Sequence, residues 1–119
     1  MDFMNIREEF DKIYQLSKAE QEELEESYTN YLRIYGSCVA TYSKVFDIHH
    51  IRIAGHCGMG SKPLDLFCVP LSRVPHTVLH QQGIRFCEEK YGFDLMKSWN
   101  KYYLDWSKKL LTQKARDKT

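Results

Sequence analysis

The stretch AGHCGMGSKP, residues 54–63, places three glycines and a proline in ten positions. Glycine carries a large entropic penalty in regular structure, and proline removes a backbone donor, so neither a helix nor a strand runs through such a segment. A loop is thus fixed near the middle of the chain, and regular elements must be built on either side of it and brought together across it. A chain of 119 residues suits one domain, large enough to bury a core without disulfide staples. The expected organisation is a single domain over 1–119, with N-terminal helices over 1–36, a central core over 38–91 and a C-terminal helix over 93–112.

Upstream of the loop, Ile6, Phe10, Ile13 and Tyr14 in NIREEFDKIYQL recur at helical spacing. The next segment, SKAEQEELEESYTNYLRIYG, opens with Ser17 and Glu20 in the pattern of a capping box and closes at Gly36. CVATYSKVFDIHHIRI is rich in β-branched and aromatic residues on both sides of a polar break at Ser43 and Lys44, which predicts an antiparallel hairpin of about five residues per strand. Downstream, LDLFCV reads as a short extended segment. SRVPHTVLHQQG reads as a helix of about two turns, capped by Ser72, with Pro75 in its first turn and Gly83 at its end. Two further helices follow, IRFCEEKYG and DLMKSWNKYYLDWSKKLLTQ, with Leu95, Trp99, Tyr102, Tyr103, Trp106 and Leu110 of the latter on one stripe. The closing KARDKT reads as frayed.

The net charge of +1 conceals an asymmetry. Through Asn30 the chain has nine acidic and three basic side chains, and after it seven acidic and fourteen basic. Lysines interleaved with Trp99, Tyr102, Tyr103 and Trp106 suit nucleic-acid phosphates, although a solvated helix face with its aromatics turned inward explains them more simply. No apolar run reaches the roughly 20 residues of a membrane span, so no membrane partner is expected. The start MDFMNIREEFDKI lacks the basic and apolar regions of a signal peptide, and a cytoplasmic setting is expected. Cys38, Cys57, Cys68 and Cys87 form no C-x-x-C pair, so they read as buried thiols rather than disulfides or a zinc knuckle.

All five histidines fall within residues 49–80. His76 and His80 are four apart on the expected short helix, so their rings leave one face a turn apart and can share a metal ion. His49 and His50 stand on or at the end of a strand, where successive side chains point to opposite faces. One of the two can therefore complete the site while the other acts as a base. His56 and Cys57 read most simply as loop residues. The glycines of GMGSK would let backbone amides approach a phosphate beside Lys62, without the strand and helix context of a nucleotide-binding loop.

HHI on a strand, a glycine-rich loop, and PLxRxxHxxxH entering a helix resemble the ββα-metal core of the HNH endonucleases, over about residues 38–91. Within that superfamily HHI, GMGSKPLD, PLS and HTVLH are most similar to phage-encoded HNH-like proteins, including the RecA-dependent recombination-enhancement nucleases. Ser72 stands where those proteins carry the cysteine of PLC, and without a cysteine knuckle the flanking helices must supply the scaffold. The resemblance implies an α+β fold in which a ββα-metal core is wrapped by N- and C-terminal helices. It implies His49, His76 and His80 as ligands of one divalent ion (Zn, Mg, Mn or Ni), His50 as general base, and Asp65 as its orienting partner. Arg52, Lys62 and Arg73 become candidates for holding the DNA backbone.

Those roles have a chemical logic. Phosphodiester hydrolysis needs an activated water, and imidazole is the side chain that exchanges protons near neutral pH. It also needs the developing negative charge neutralised, which a cation does. The expected activity is a metal-dependent DNA endonuclease of a phage or prophage, acting in the bacterial cytoplasm with a RecA-like recombinase as an implied partner. The alternative expectation is a non-catalytic, zinc-stabilised module of the same fold that binds nucleic acid or protein.

Overall fold

The computed structural model describes residues 12–51 and 66–117. Their elements run in the order α1 (Lys18–Tyr35), β1 (Asp47–His50), β2 (Cys68–Leu71), α2 (Arg73–Gln82), α3 (Ile84–Tyr91) and α4 (Leu95–Asp117), an α+β fold with one two-stranded antiparallel sheet. A helical turn at residues 12–14 precedes α1. The expected helix over 5–16 lies largely outside the described residues.

Helix α1 begins as its sequence dictates. Ser17 Oγ accepts a hydrogen bond from Glu20 N at 3.2 Å, and Ser17 N donates to Glu20 Oε1 at 3.3 Å, so two orphan amides are satisfied reciprocally. Its buried face carries Tyr28, Tyr31 and Leu32 at helical spacing. Helix α4 answers with Leu95, Trp99, Tyr103 and Trp106, all buried, while Tyr102 and Leu110 pack at the margin. Tyr28 sits between the two helices, edge-on to Trp106 with ring centroids 5.4 Å apart. The indole polar ends find partners, Trp99 Nε1 donating to the Leu66 carbonyl at 2.8 Å and Trp106 Nε1 to Ser27 Oγ at 3.0 Å. The aromatics of α4 therefore face the core, and Lys97, Lys101, Lys108 and Lys109 the solvent. The helix continues through Asp117, four residues beyond Gln113, so the segment KARD extends α4 where fraying was expected.

The sheet differs from the sequence expectation. No strand forms over 38–42, which folds on itself through hydrogen bonds from Cys38 N to the Ser43 carbonyl and from Tyr42 N to the Cys38 carbonyl, both 2.8 Å. Tyr42 takes φ 63° there. The glycine-rich segment 54–63, expected as a loop, lies outside the described residues, and the partner of β1 comes from beyond it in the chain: Asp47 faces Leu71, Ile48 faces Pro70, His49 faces Val69 and His50 faces Cys68. Strand β2 is buried throughout, consistent with an unbroken apolar run covered on both faces. Cys38, Val39 and Ala40 bury themselves instead beside it, with Val39 N donating to the Pro70 carbonyl at 3.1 Å. Tertiary burial has overridden local strand propensity.

Cys38, Cys68 and Cys87 are buried free thiols, as expected; Cys57 lies outside the described residues. Burial raises the Cys38 thiol, but hydrogen bonds from Ser72 and Thr41 outweigh it and bring it down to about 7. Among the described residues no helix is long and apolar enough to cross a membrane.

Candidate metal centre

The chain turns sharply from β2 into α2 at Ser72, whose hydroxyl donates to the Val45 carbonyl at 2.7 Å instead of capping the helix. That bond ties the start of α2 to the segment leading into β1. Pro75 is buried in the first turn of α2, its carbonyl 3.5 Å from Cys87 Sγ of α3. Fixed from both sides, α2 turns His76 and His80 toward the end of β1. Its ten residues make nearly three turns rather than the two expected.

The three rings converge. His49 Nδ1 lies 3.0 Å from His76 Nε2, and His80 Nε2 lies 2.9 Å from the same atom. One nitrogen of each residue falls within 4.8 Å of the other two, close enough to hold a metal ion. Ring centroids stand 4.7 Å apart for His49 and His76 and 4.6 Å for His76 and His80. In a tetrahedral site with bonds of ~2.0–2.1 Å the ligand nitrogens would stand ~3.3 Å apart, so two edges already have nearly the required length.

The donor chemistry fits as well. Burial lowers His49 to about 4, and the neighbouring His76, His80 and His50 push it the same way. Burial and His80 also lower His76, with Asp47 opposing. Both imidazoles are neutral at neutral pH, which leaves lone pairs for a cation. A trigonal ring nitrogen presents one lone pair or one proton. His76 Nε2 cannot satisfy two neighbouring nitrogens by hydrogen bonding, whereas three lone pairs aimed at one cation remove the conflict.

The centre is graded in exposure: His49 is buried, His76 half-buried and His80 exposed. It opens into a cavity of about 540 Å³ bordered by His49, His50 and His80 on one side and Arg85, Glu88 and Met96 on the other. His50, half-buried, stays out of the three-nitrogen cluster yet borders the same cavity. Arg73 is exposed at the start of α2 and does not line the cavity. Arg52, Lys62 and Asp65, singled out in the sequence, lie outside the described residues, as do His56 and Cys57.

Arg85 and Glu88 escape the sequence reading. Gly83, at φ 89°, lets the chain break out of α2 and begin α3 at once, which brings Arg85 to the cavity only five residues after His80. Glu88 Oε2 accepts the Leu95 amide at 2.8 Å and so anchors the start of α4 at the same rim. The detectable signal is the spacing of Arg85 and Glu88, three apart on a short helix that directly follows the histidine pair.

A small α+β protein with an open three-histidine centre between a strand and a helix is the class that this fold and site define. The chain belongs to the family described as "Protein of unknown function (DUF968)", which matches residues 4–110. It is similar to "Uncharacterized protein YdfU" of Escherichia coli (strain K12), 38% identical over 72 residues, 60% of this chain and 20% of that protein. The matched region thus spans about a fifth of that relative's length. No solved structure matches the chain.

Proposed function

We propose that this protein is a metal-dependent endonuclease of the HNH type, in which His49, His76 and His80 hold one divalent cation and His50 is the general base. The carrying observation is the meeting of His49 Nδ1 and His80 Nε2 on His76 Nε2, at 3.0 and 2.9 Å. The order β1, β2, α2, with histidines on the first strand and the helix, agrees with the resemblance of HHI and HTVLH to the ββα-metal core.

When bound, the cation would supply Lewis-acid polarisation of a phosphate oxygen and neutralise developing charge, an effect of several kcal/mol. The exposed edge at His80 admits a phosphodiester, and three protein nitrogens leave coordination room for it. Imidazole ligands favour Zn or Ni for tight binding, while Mg or Mn can serve turnover. His50, bordering the cavity beside His49, takes the proton from the attacking water. Arg85 reaches the cavity from α3 and holds the non-bridging phosphate oxygens with its forked donors. Arg73 contacts a flanking phosphate. Asp65 as orienting partner of His50, Arg52 and Lys62 as backbone contacts, the phage or prophage setting in a bacterial cytoplasm, and a RecA-like partner all rest on the resemblance.

The test is direct. Protein stripped of metal and reloaded with Mg, Mn, Zn or Ni is incubated with supercoiled plasmid and with single-stranded circles. Cutting that depends on the ion, disappears in His50→Ala while metal binding persists, and disappears together with binding in His80→Ala supports the assignment. Cleavage retained by His50→Ala removes this mechanism. One equivalent of zinc held without any cutting leaves a structural centre in a non-catalytic module.

A further inference from the structure

A second concavity, of about 700 Å³, runs between α1 and the first half of α4. We infer that this groove binds single-stranded nucleic acid and leads it to the histidine centre. The inference deepens the nuclease reading and rests on it for the fate of the bound strand.

The charge of the groove is one-sided. Lys97, Lys101 and Lys108 line it from α4, all exposed, and the first and last are separated by eleven helical steps, or ~16 Å at ~1.5 Å per residue. Lys109 joins them from the same helix, its ammonium 4.8 Å from the centre of the Tyr35 ring. Among the described residues the one carboxylate in the lining, Asp105, accepts a hydrogen bond from the Tyr31 hydroxyl. Burial raises Tyr31 above the usual phenol range and the bond to Asp105 adds to it, so the hydroxyl stays a donor and the carboxylate stays engaged. Among the described residues, three lining ammonium groups, with Lys109 beside them at Tyr35, against one hydrogen-bonded carboxylate make a track for a polyanion.

The same groove carries aromatic surface. Tyr35, at the end of α1, is 56% exposed and borders the concavity beside Tyr102. Tyr102 is held rigidly, its hydroxyl accepting from Ser37 N at 3.1 Å and donating to the Ser37 carbonyl at 3.0 Å. The Lys109 contact on Tyr35 is an exposed cation–π pair, weak enough to yield to a base and leave the ammonium for a phosphate. A positive track with a stackable ring selects unpaired bases, because a duplex keeps its base faces closed.

The groove also leads somewhere. Met96 borders the histidine cavity, and the next residue, Lys97, borders the groove. The first turn of α4 therefore borders both, and a strand lying on the lysines reaches the end of the helix that carries the rim of the histidine cavity.

Fluorescence anisotropy on the full chain as purified, with and without EDTA, tests this with a labelled oligothymidylate of about fifteen nucleotides and a duplex of equal length. The single strand should bind about tenfold or more tightly than the duplex. Tyr35→Ala should weaken it roughly five- to a hundredfold without changing the salt dependence. The double variant Lys101→Gln, Lys108→Gln should reduce the slope of log K against log salt by about 1.4, at ~0.7 for each of two phosphates that no longer meet an ammonium group. Each altered side chain is exposed, and an unchanged melting curve verifies folding. Equal affinity for duplex, unchanged binding in both variants, or displacement of the oligonucleotide by polyglutamate at equal charge would each overturn the inference, the last in favour of an acidic protein. His76→Ala separates the two readings. Strand binding that survives in it, with no cutting by wild type under any metal, leaves the groove assigned and the nuclease reading lost. Ion-dependent cutting with groove variants indistinguishable from wild type does the reverse.

Discussion

His49 Nδ1 and His76 Nε2, 27 positions apart in the chain, stand 3.0 Å from one another across the gap between β1 and α2. A strand and a helix are joined there by side chains that have more to gain from a shared cation than from each other. An ion bound by the folded state alone stabilises it by mass action, by about 2.7 kcal/mol at a hundredfold excess over Kd. Thermal melts of stripped protein should accordingly shift upward by several degrees on adding zinc, and His76→Ala should abolish the shift. A melt of wild type that zinc leaves unmoved would argue against the centre.

Acid should destabilise the metal-free protein through the same residue. Because burial depresses the folded-state value of His49 from 6.5 to about 4, the unfolded chain binds the extra proton first. The stability linked to neutral His49 is then complete above about pH 6.5 and drains away as pH falls toward 4. The shift corresponds to about 2 kcal/mol once solvent screening at the open edge of the site is allowed for. His76, lowered as well, adds in the same direction. Urea unfolding at pH 7 and pH 4.5, in chelator, should show a loss that His49→Gln largely removes; an equal loss in the variant would place the acid sensitivity elsewhere.

These histidines are legible in the sequence because local rules suffice to find them. A four-residue spacing puts His76 and His80 on one helical face whatever surrounds them, and a double histidine on a strand needs only alternation to send one ring toward that helix. The pairing of the strands is another matter. Val39, Thr41 and Tyr42 are strand formers, yet they form a turn because Cys68–Leu71, farther along the chain, offers β1 a fully buried partner. Partner choice at that separation in sequence depends on burial summed over the whole core, which no window of a few residues contains. Arg85 is illegible for a related reason, since its place at the cavity depends on how sharply Gly83 ends α2.

The hydroxyl of Tyr28 links α1 to the sheet by donating to the Cys68 carbonyl at 2.9 Å, inside the core. Burial raises its ionisation well beyond the ordinary phenol range, so it remains a donor at any accessible pH. Tyr28→Phe keeps the ring and its packing on Trp106 but strips a buried carbonyl of that partner. A loss of about 1–2 kcal/mol is expected, read as a lower urea midpoint with unchanged slope. An effect within a few tenths of a kcal/mol would mean that the carbonyl finds a replacement.

Gly36 ends α1 with φ −79° and ψ 161°, an extended conformation open to any residue, so backbone freedom does not explain the glycine. Space does. A Cβ built there would fall 2.3 Å from the Leu32 carbonyl oxygen and 2.9 Å from Pro70 Cγ, contacts that no unstrained side chain makes. The first of these is backbone within α1, and the second is a ring locked into β2, so neither can swing aside as a flexible side chain would. Gly36→Ala must push α1 away from the strand that pairs with the His49 segment, at a cost of about 1–3 kcal/mol, the usual range for overpacking. The displacement travels through β2 to β1, so zinc affinity should fall along with stability, although Gly36 is none of the three clustered histidines and is not among the residues lining their cavity. Calorimetric zinc titration of Gly36→Ala beside Gly83→Ala gives the comparison: an alanine at Gly83, where φ is 89° but space is open, strains the α2–α3 junction without wedging helix against sheet. Zinc binding undiminished in Gly36→Ala would show that the centre is insulated from the packing of α1 on β2.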